Sequence, residues 1–218
     1  MKTIILTLLT ILLIPFAFIN PQGPYGFNSA YVEKSSETNT SGIIITTSEN
    51  IYINDGGNLV RREFTEVQNI SMINQVNESS SISITDPDYI TTWDPLTLIG
   101  TRMENPVDDA FQNMTDDQAQ QFGQDVADAM NTEVTDGGTG EVAGVMCSIY
   151  VAVTSMMGMD ITTTTWIYEN YLMKSVSEGA VSSNEEVTIF NEGVNNDSGL
   201  FVVPDNVTIT DVASPFGN

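Results

Sequence analysis

The sequence contains no histidine, a single cysteine and few basic residues. Without histidine, the chain cannot build the Ser-His or Cys-His pairs of common hydrolases, and it lacks the most common zinc ligand. Catalysis by two carboxylates stays open, because such a site needs only two acids at a suitable separation. No acidic pair stands out among the 29 acids, so we assign no catalytic residue and no cofactor-binding residue.

Cys147 is the only cysteine, so no intrachain disulfide can form. Its neighbours are apolar, which favours a small buried hydrophobic residue over an intermolecular bridge. A secreted domain of this size without disulfides depends on core packing, bound ions or assembly with other copies.

Six lysine and arginine residues face 29 acids, giving a formal net charge of −23. Such a surface repels nucleic acid and anionic lipid, and it attracts cations. The sequence therefore predicts no nucleic-acid partner. It also predicts that salt, divalent ions or low pH is needed to keep the fold compact, with calcium as the candidate ion.

The chain opens with Lys2 and an apolar run that Pro15 interrupts, the pattern of a secretory signal. Cleavage is expected between about residues 17 and 30, with contact to the membrane only through this signal. We therefore divide the chain into a signal peptide and leader, residues 1–30, and a single acidic extracellular domain, residues 31–218. Residues 21–42 are polar and are interpreted as a mobile linker.

Short runs of β-branched residues between turn-forming residues predict strands towards both ends of the chain. Residues 77–81 are interpreted as a solvated loop. The predicted strands are residues 43–47, 51–53, 59–67, 82–85, 187–190, 200–203 and 207–210, and the first two are expected with a hairpin-like turn.

The middle of the sequence is predicted to be helical. Asn105-Pro106 and Thr115 are helix-start signals, and apolar residues then recur at three- and four-residue steps, which predicts a helix over about 106–131. Residues 142–159 are apolar on every side and fit a buried helix or a buried strand, and the Ala and Met content favours the helix. Residues 162–176 carry conflicting strand and helix signals. The predicted fold class is thus α+β: an antiparallel sheet from both ends of the chain, with a helical middle at about 106–131 and a further candidate helical region at 142–176.

Oxygen-rich turns are the candidate metal sites, because calcium prefers carboxylate, amide and carbonyl oxygens. Ordinary turns are the competing interpretation, since no stretch has the twelve-residue pattern of a helix-loop-helix calcium site. The candidate ligands are Asp55, Asp86, Asp88 and Asp197.

Six Asn-X-Ser/Thr triplets are potential N-glycosylation sites. The acceptor residues are Asn39, Asn69, Asn77, Asn113, Asn196 and Asn206. The aromatic residues Trp166, Tyr168 and Tyr171 could form a sugar-stacking platform, but a position in the core is the favoured interpretation.

Two classes of function fit these features. The favoured class is a secreted or cell-surface structural glycoprotein, such as a self-assembling filament or surface-layer subunit, whose strand at residues 43–53 could pair with a neighbouring copy. Its partners would be other copies of itself or other surface proteins. The alternative is a stand-alone secreted binding domain for calcium or carbohydrate, followed by a carboxylate-based glycoside hydrolase.

Overall fold

The computed structural model describes residues 25–40, 43–105, 132–156, 159–179 and 182–213. Within these ranges the chain forms twelve strands, most of which alternate more and less exposed side chains, as expected for a sheet with two different faces. The strands are β1 (Ala30–Thr40), β2 (Ile43–Asn54), β3 (Leu59–Ile70), β4 (Gln75–Thr85), β5 (Tyr89–Trp93), β6 (Ile99–Glu104), β7 (Thr132–Val142), β8 (Val145–Met156), β9 (Met159–Tyr168), β10 (Tyr171–Glu178), β11 (Ser182–Glu192) and β12 (Thr208–Asp211).

All of these strands belong to one mixed sheet, in the order β12-β6-β5-β4-β3-β2-β1-β11-β10-β9-β8-β7. Strands β1 to β6 form one antiparallel meander and β7 to β11 a second. Antiparallel pairing of β1 with β11 joins the two meanders, and β12 lies parallel to β6 at the edge. Because β1 lies between β2 and β11, the first described strand is in the interior of the sheet.

One face of the sheet, here called the core face, carries the hydrophobic core. The core lies at the end of the sheet where β1 begins and β2 ends, and residues 25–29 pack against it. Its fully buried side chains include Val32, Ile51, Ile53, Met173 and Val187.

Charged residues border the apolar part of the core face. Lys34 on β1 forms an ion pair with Glu185 on β11, and Arg62 on β3 lies 3.5 Å from Glu49 on β2. Beyond this border the strands continue with small polar residues, and Ser36 and Thr47 share a hydrogen bond of 2.7 Å. The core therefore occupies only part of the strand length.

The predicted helical middle is wrong. Residues 142–176 form most of β8, β9 and β10, and the described chain is nearly all β-structure. Tight turns between the strands explain this outcome. Ala143 and Gly144 join β7 to β8, and Glu169 and Asn170 join β9 to β10. All four residues have positive φ angles, as two-residue hairpin turns require.

The proposed helix at 106–131 and the signal segment at residues 1–24 lie outside the described residues. Over the part that is described, no helix has the length and apolar character needed to cross a membrane.

The prediction of a mobile linker at residues 21–42 is also wrong for half of that stretch, because residues 30–40 form β1. Residues 77–81 are part of β4 rather than a loop, and residues 200–203 lie in and after a short 3-10 helix at Ser198–Phe201 rather than in a strand. The two strands predicted at 43–47 and 51–53 are one continuous strand, β2, and the remaining predicted strands are confirmed within β3, β4, β11 and β12.

Candidate functional site

The face opposite the core, here called the polar face, carries three cross-strand rows of mostly polar side chains, in which Ile84 and Trp93 are buried. Directly paired residues on neighbouring strands point to the same face, so the sheet register fixes these rows. The first row is Tyr31, Tyr52, Arg61 and Ile84; the second is Glu33, Asn50, Glu63, Ile82 and Trp93; the third is Ser35, Ser48, Thr65 and Ser80.

Two tyrosines lie side by side in the first row. The ring centroids of Tyr31 and Tyr52 are 5.2 Å apart with a tilt of 46°, and both side chains are partly exposed. The Tyr31 hydroxyl donates to Glu33 at 2.9 Å and lies 3.4 Å from the amide oxygen of Asn50. Burial and the hydrogen bond to Glu33 raise the pKa of Tyr31 to about 12. Burial and the nearby Glu63 carboxylate also raise the pKa of Tyr52. Both phenols are therefore neutral hydrogen-bonding groups at physiological pH.

Arg61 organises the acidic part of the site. Its Nε and Nη2 atoms donate to one oxygen of Glu63 at 3.0 and 2.8 Å, and Nη1 donates to the carbonyl of Leu200 at 2.9 Å. The guanidinium carbon also lies 5.8 Å from the centroid of the Trp93 ring. These contacts orient Glu63 while its second carboxylate oxygen accepts no hydrogen bond from the described residues.

A shallow groove of about 320 Å³ lies beside the tyrosines, across β2, β3 and β4. Pro95, in the loop between β5 and β6, forms one wall. The loop is stabilised by Asp94, whose carboxylate accepts from the backbone of Leu96 at 2.6 Å and of Thr97 at 3.1 Å. These hydrogen bonds hold the pKa of Asp94 below its usual range. The polar side chains that line the groove include Ser48, Asn50, Glu63, Thr65 and Ser80.

The tyrosine pair and the groove were not found from the sequence. Tyr31 and Glu33 fall in the stretch interpreted as a linker, although Ala30 and Val32 alternate with them as a half-buried strand requires. Tyr168 and Tyr171 instead belong to an aromatic cluster with Phe190. The predicted core position is confirmed for Tyr171, which is 4% exposed, whereas Tyr168 and Trp166 are partly buried and pack against the core.

The candidate calcium ligands each shape a local turn. Asp86 accepts from the backbone of Asp88 at 2.8 Å, Asp197 accepts from Gly199 at 2.8 Å, and Asp55 accepts from the Asn58 side chain at 3.3 Å. Across the described ranges, no group of three or more Asp, Glu, Cys or His residues is placed to share a metal ion. Calcium binding stays a prediction.

Four glycosylation candidates are exposed, and one is not. Asn39, Asn69, Asn77 and Asn206 lie on the surface, whereas Asn113 is outside the described residues. Asn196 is 8% exposed, and its Nδ2 donates to the carbonyls of Ala30 and Ile53 at 3.0 Å each. Because a glycan would have to be attached to this same nitrogen, we expect Asn196 to be unmodified in this fold.

Cys147 is 1% exposed and contributes to the core, as predicted from its neighbours. Burial raises the pKa of its thiol, which keeps it protonated.

No protein-family model and no curated protein matches the chain. Among solved structures, an uncharacterised conserved protein from Thermus thermophilus is similar with a TM-score of 0.48 and 9% identity, covering 97% of this chain and 99% of that one. MucB, solved in complex with MucA(peri), is similar with a TM-score of 0.42 and 9% identity, covering 84% of this chain and 57% of MucB. LprF from Mycobacterium bovis is similar with a TM-score of 0.34 and 12% identity, covering 84% of this chain and 90% of LprF. Likenesses of this size do not extend to function.

Proposed function

We propose that the chain is an exported carbohydrate-binding domain that uses the polar face of its sheet. The observation that carries this proposal is the tyrosine pair of β1 and β2, which lies beside a row of carboxylate and amide groups and a hydroxyl-lined groove. Its location outside the cytoplasm rests on the signal-like sequence that follows Lys2.

The chemistry of this surface matches a polyhydroxylated ligand. A sugar ring has apolar C–H faces that pack on aromatic rings, and hydroxyl groups that need both donors and acceptors. Tyr31 and Tyr52 supply the aromatic surface, while Asn50 and Glu63 supply amide and carboxylate groups. All four side chains stand on paired strands, so little conformational entropy is lost when a ligand binds.

The filament alternative loses its main support. Strand exchange required residues 43–53 to follow a free linker, but they form β2, which pairs with β1 on one side and β3 on the other. A strand with both edges occupied within its own chain offers no edge to a neighbouring copy. The binding-domain interpretation is therefore the one we adopt, and self-association stays a prediction without this strand.

The test is calorimetric titration of the purified protein with soluble oligosaccharides of glucose, galactose, mannose and N-acetylglucosamine. For an oligosaccharide that binds, Tyr52→Ala should weaken the affinity about tenfold, because an aromatic contact is removed. Asn50→Ala should weaken the affinity by a similar factor, because a hydrogen bond is lost.

Tyr89→Ala is the control, because Tyr89 is an exposed tyrosine on β5 that stacks with Arg102 outside the groove. Thermal melts of each variant separate loss of binding from loss of folding. Equal affinity of all three variants would place the ligand elsewhere, and absence of binding to every sugar would refute the proposal.

A further inference from the structure

Residues 25–29 are integrated into the fold through their backbone. Tyr25 N donates to the carbonyl of Gly56 at 2.8 Å, and Gly26 N donates to the carbonyl of Glu169 at 2.9 Å. In the other direction, Gly56 N donates to the carbonyl of Asn28 at 2.8 Å, and the Ser29 carbonyl accepts from Gly193 at 2.8 Å. This short segment therefore connects the turn after β2, the turn between β9 and β10, and the end of β11.

The side chains of the same segment complete the core. Phe27 is 4% exposed, and its ring centroid lies 5.4 Å from that of Phe190 and 5.9 Å from that of Tyr171. Tyr25 packs on both neighbours, with centroids 5.3 Å from Phe27 and 5.1 Å from Tyr171. Removing residues 25–29 would expose the aromatic rings at the end of the core.

We propose that the mature protein retains residues 25–29, so that signal-peptide cleavage falls within residues 17–24 and not after Ala30. In this reaction a signal peptidase breaks one peptide bond with water. The water oxygen becomes part of the new carboxylate of the released peptide, and the nitrogen of the mature chain becomes its amino terminus. A cut after Ala30 would also remove the residue that pairs with Ile53 at the start of β1.

The sequence alone places cleavage anywhere between about residues 17 and 30, because signal peptidases cut after small residues and each end of this range has one: Ala17 and Ala30. What separates them is burial. Ala30 is 0% exposed in the folded domain and Phe27 belongs to the core, so a mature chain that begins at Tyr31 lacks groups that this fold buries. Cleavage there would yield a domain lacking part of its own core.

The first test is to express the full chain with its own leader in a secreting host and to determine the amino terminus of the exported protein by intact mass and N-terminal sequencing. A first residue between positions 18 and 25 is expected. A first residue at Tyr31, or an exported chain that retains Met1, would overturn the proposal.

The second test needs no export. A chain beginning at Gln22 is compared with a chain beginning at Tyr31, both made without residues 1–21, and Phe27→Ala in the longer chain serves as the matched single-residue variant. The shorter chain should melt about 10 °C or more below the longer one, with the variant between them, because core burial is lost stepwise. Equal melting temperatures would overturn the proposal. Neither test involves carbohydrate, so both are independent of the proposed function.

Discussion

The side-chain amide of Asn196 links the neighbouring strands β1 and β2 next to the core. Its Nδ2 donates to the carbonyls of Ala30 in β1 and Ile53 in β2, and it is buried where water cannot replace these bonds. Asn196→Ala should therefore lower the free energy of unfolding by about 1–3 kcal/mol, measured by urea denaturation.

The control for this prediction is Asn206→Ala, which also removes a potential glycosylation site but lies on the surface. We expect it to change stability by less than about 0.5 kcal/mol. A peptide map of protein from a glycosylating host provides a second check, because Asn196 should be unmodified. A glycan on Asn196, or equal stability of the two variants, would contradict the buried position.

Among single residues, the sequence predicted the buried position of Cys147 but not the groups on the polar face. Tyr31, Glu33 and Asn50 are separated along the chain and come together only through the register of β1 with β2. No local pattern carries that register. Asn196 shows the same limit, because its triplet resembles an exposed acceptor site while the tertiary fold buries its amide.

At the scale of elements, the hairpin between β9 and β10 carries local backbone strain. Glu169 and Asn170 form its two-residue turn with φ angles of 43° and 67°, a conformation that suits Asn and Gly but not most other residues. Glu169→Asn should stabilise the protein by about 0.5–1 kcal/mol, and Glu169→Val should destabilise it by about 1–2 kcal/mol.

The two variants differ only at position 169. The difference between their stabilities, measured by thermal or urea unfolding, therefore reports how well each residue adopts the left-handed conformation. The carbonyl of Glu169 accepts from Gly26 in both variants, which keeps that contact constant. Equal stabilities, or a more stable valine variant, would show that the turn does not hold the left-handed conformation.

The strands that were predicted correctly and those that were missed differ in composition. Strand β2 begins with three isoleucines and was recognised, whereas β1 has Val32 as its only large aliphatic residue and was interpreted as a linker. Strand β8 is apolar on both faces because parts of both faces are covered, so its periodicity could not separate helix from strand. In each case sheet pairing, rather than local propensity, decided the outcome.

At the scale of the whole molecule, every basic residue in the described ranges is used in an ion pair. The pairs are Lys34–Glu185, Arg61–Glu63, Arg62–Glu49, Arg102–Asp211 and Lys174–Glu186. The chain carries 29 acids and only six bases in all, so most carboxylates have no basic partner. Repulsion among them opposes the compact state at low ionic strength.

We therefore expect the melting temperature to rise by several degrees when sodium chloride is increased from about 10 mM to about 150 mM, because the screening length falls from about 30 Å to about 8 Å.

Calcium at millimolar concentration should raise the melting temperature further than sodium chloride at equal ionic strength, and magnesium is the control. An equal effect of the two divalent ions indicates general screening of the carboxylates. A larger effect of calcium that is lost in Asp197→Asn or Asp55→Asn would place a calcium site at one of these turns. Melting temperatures that are identical in chelator, salt and calcium would show that charge repulsion does not limit the stability of this fold.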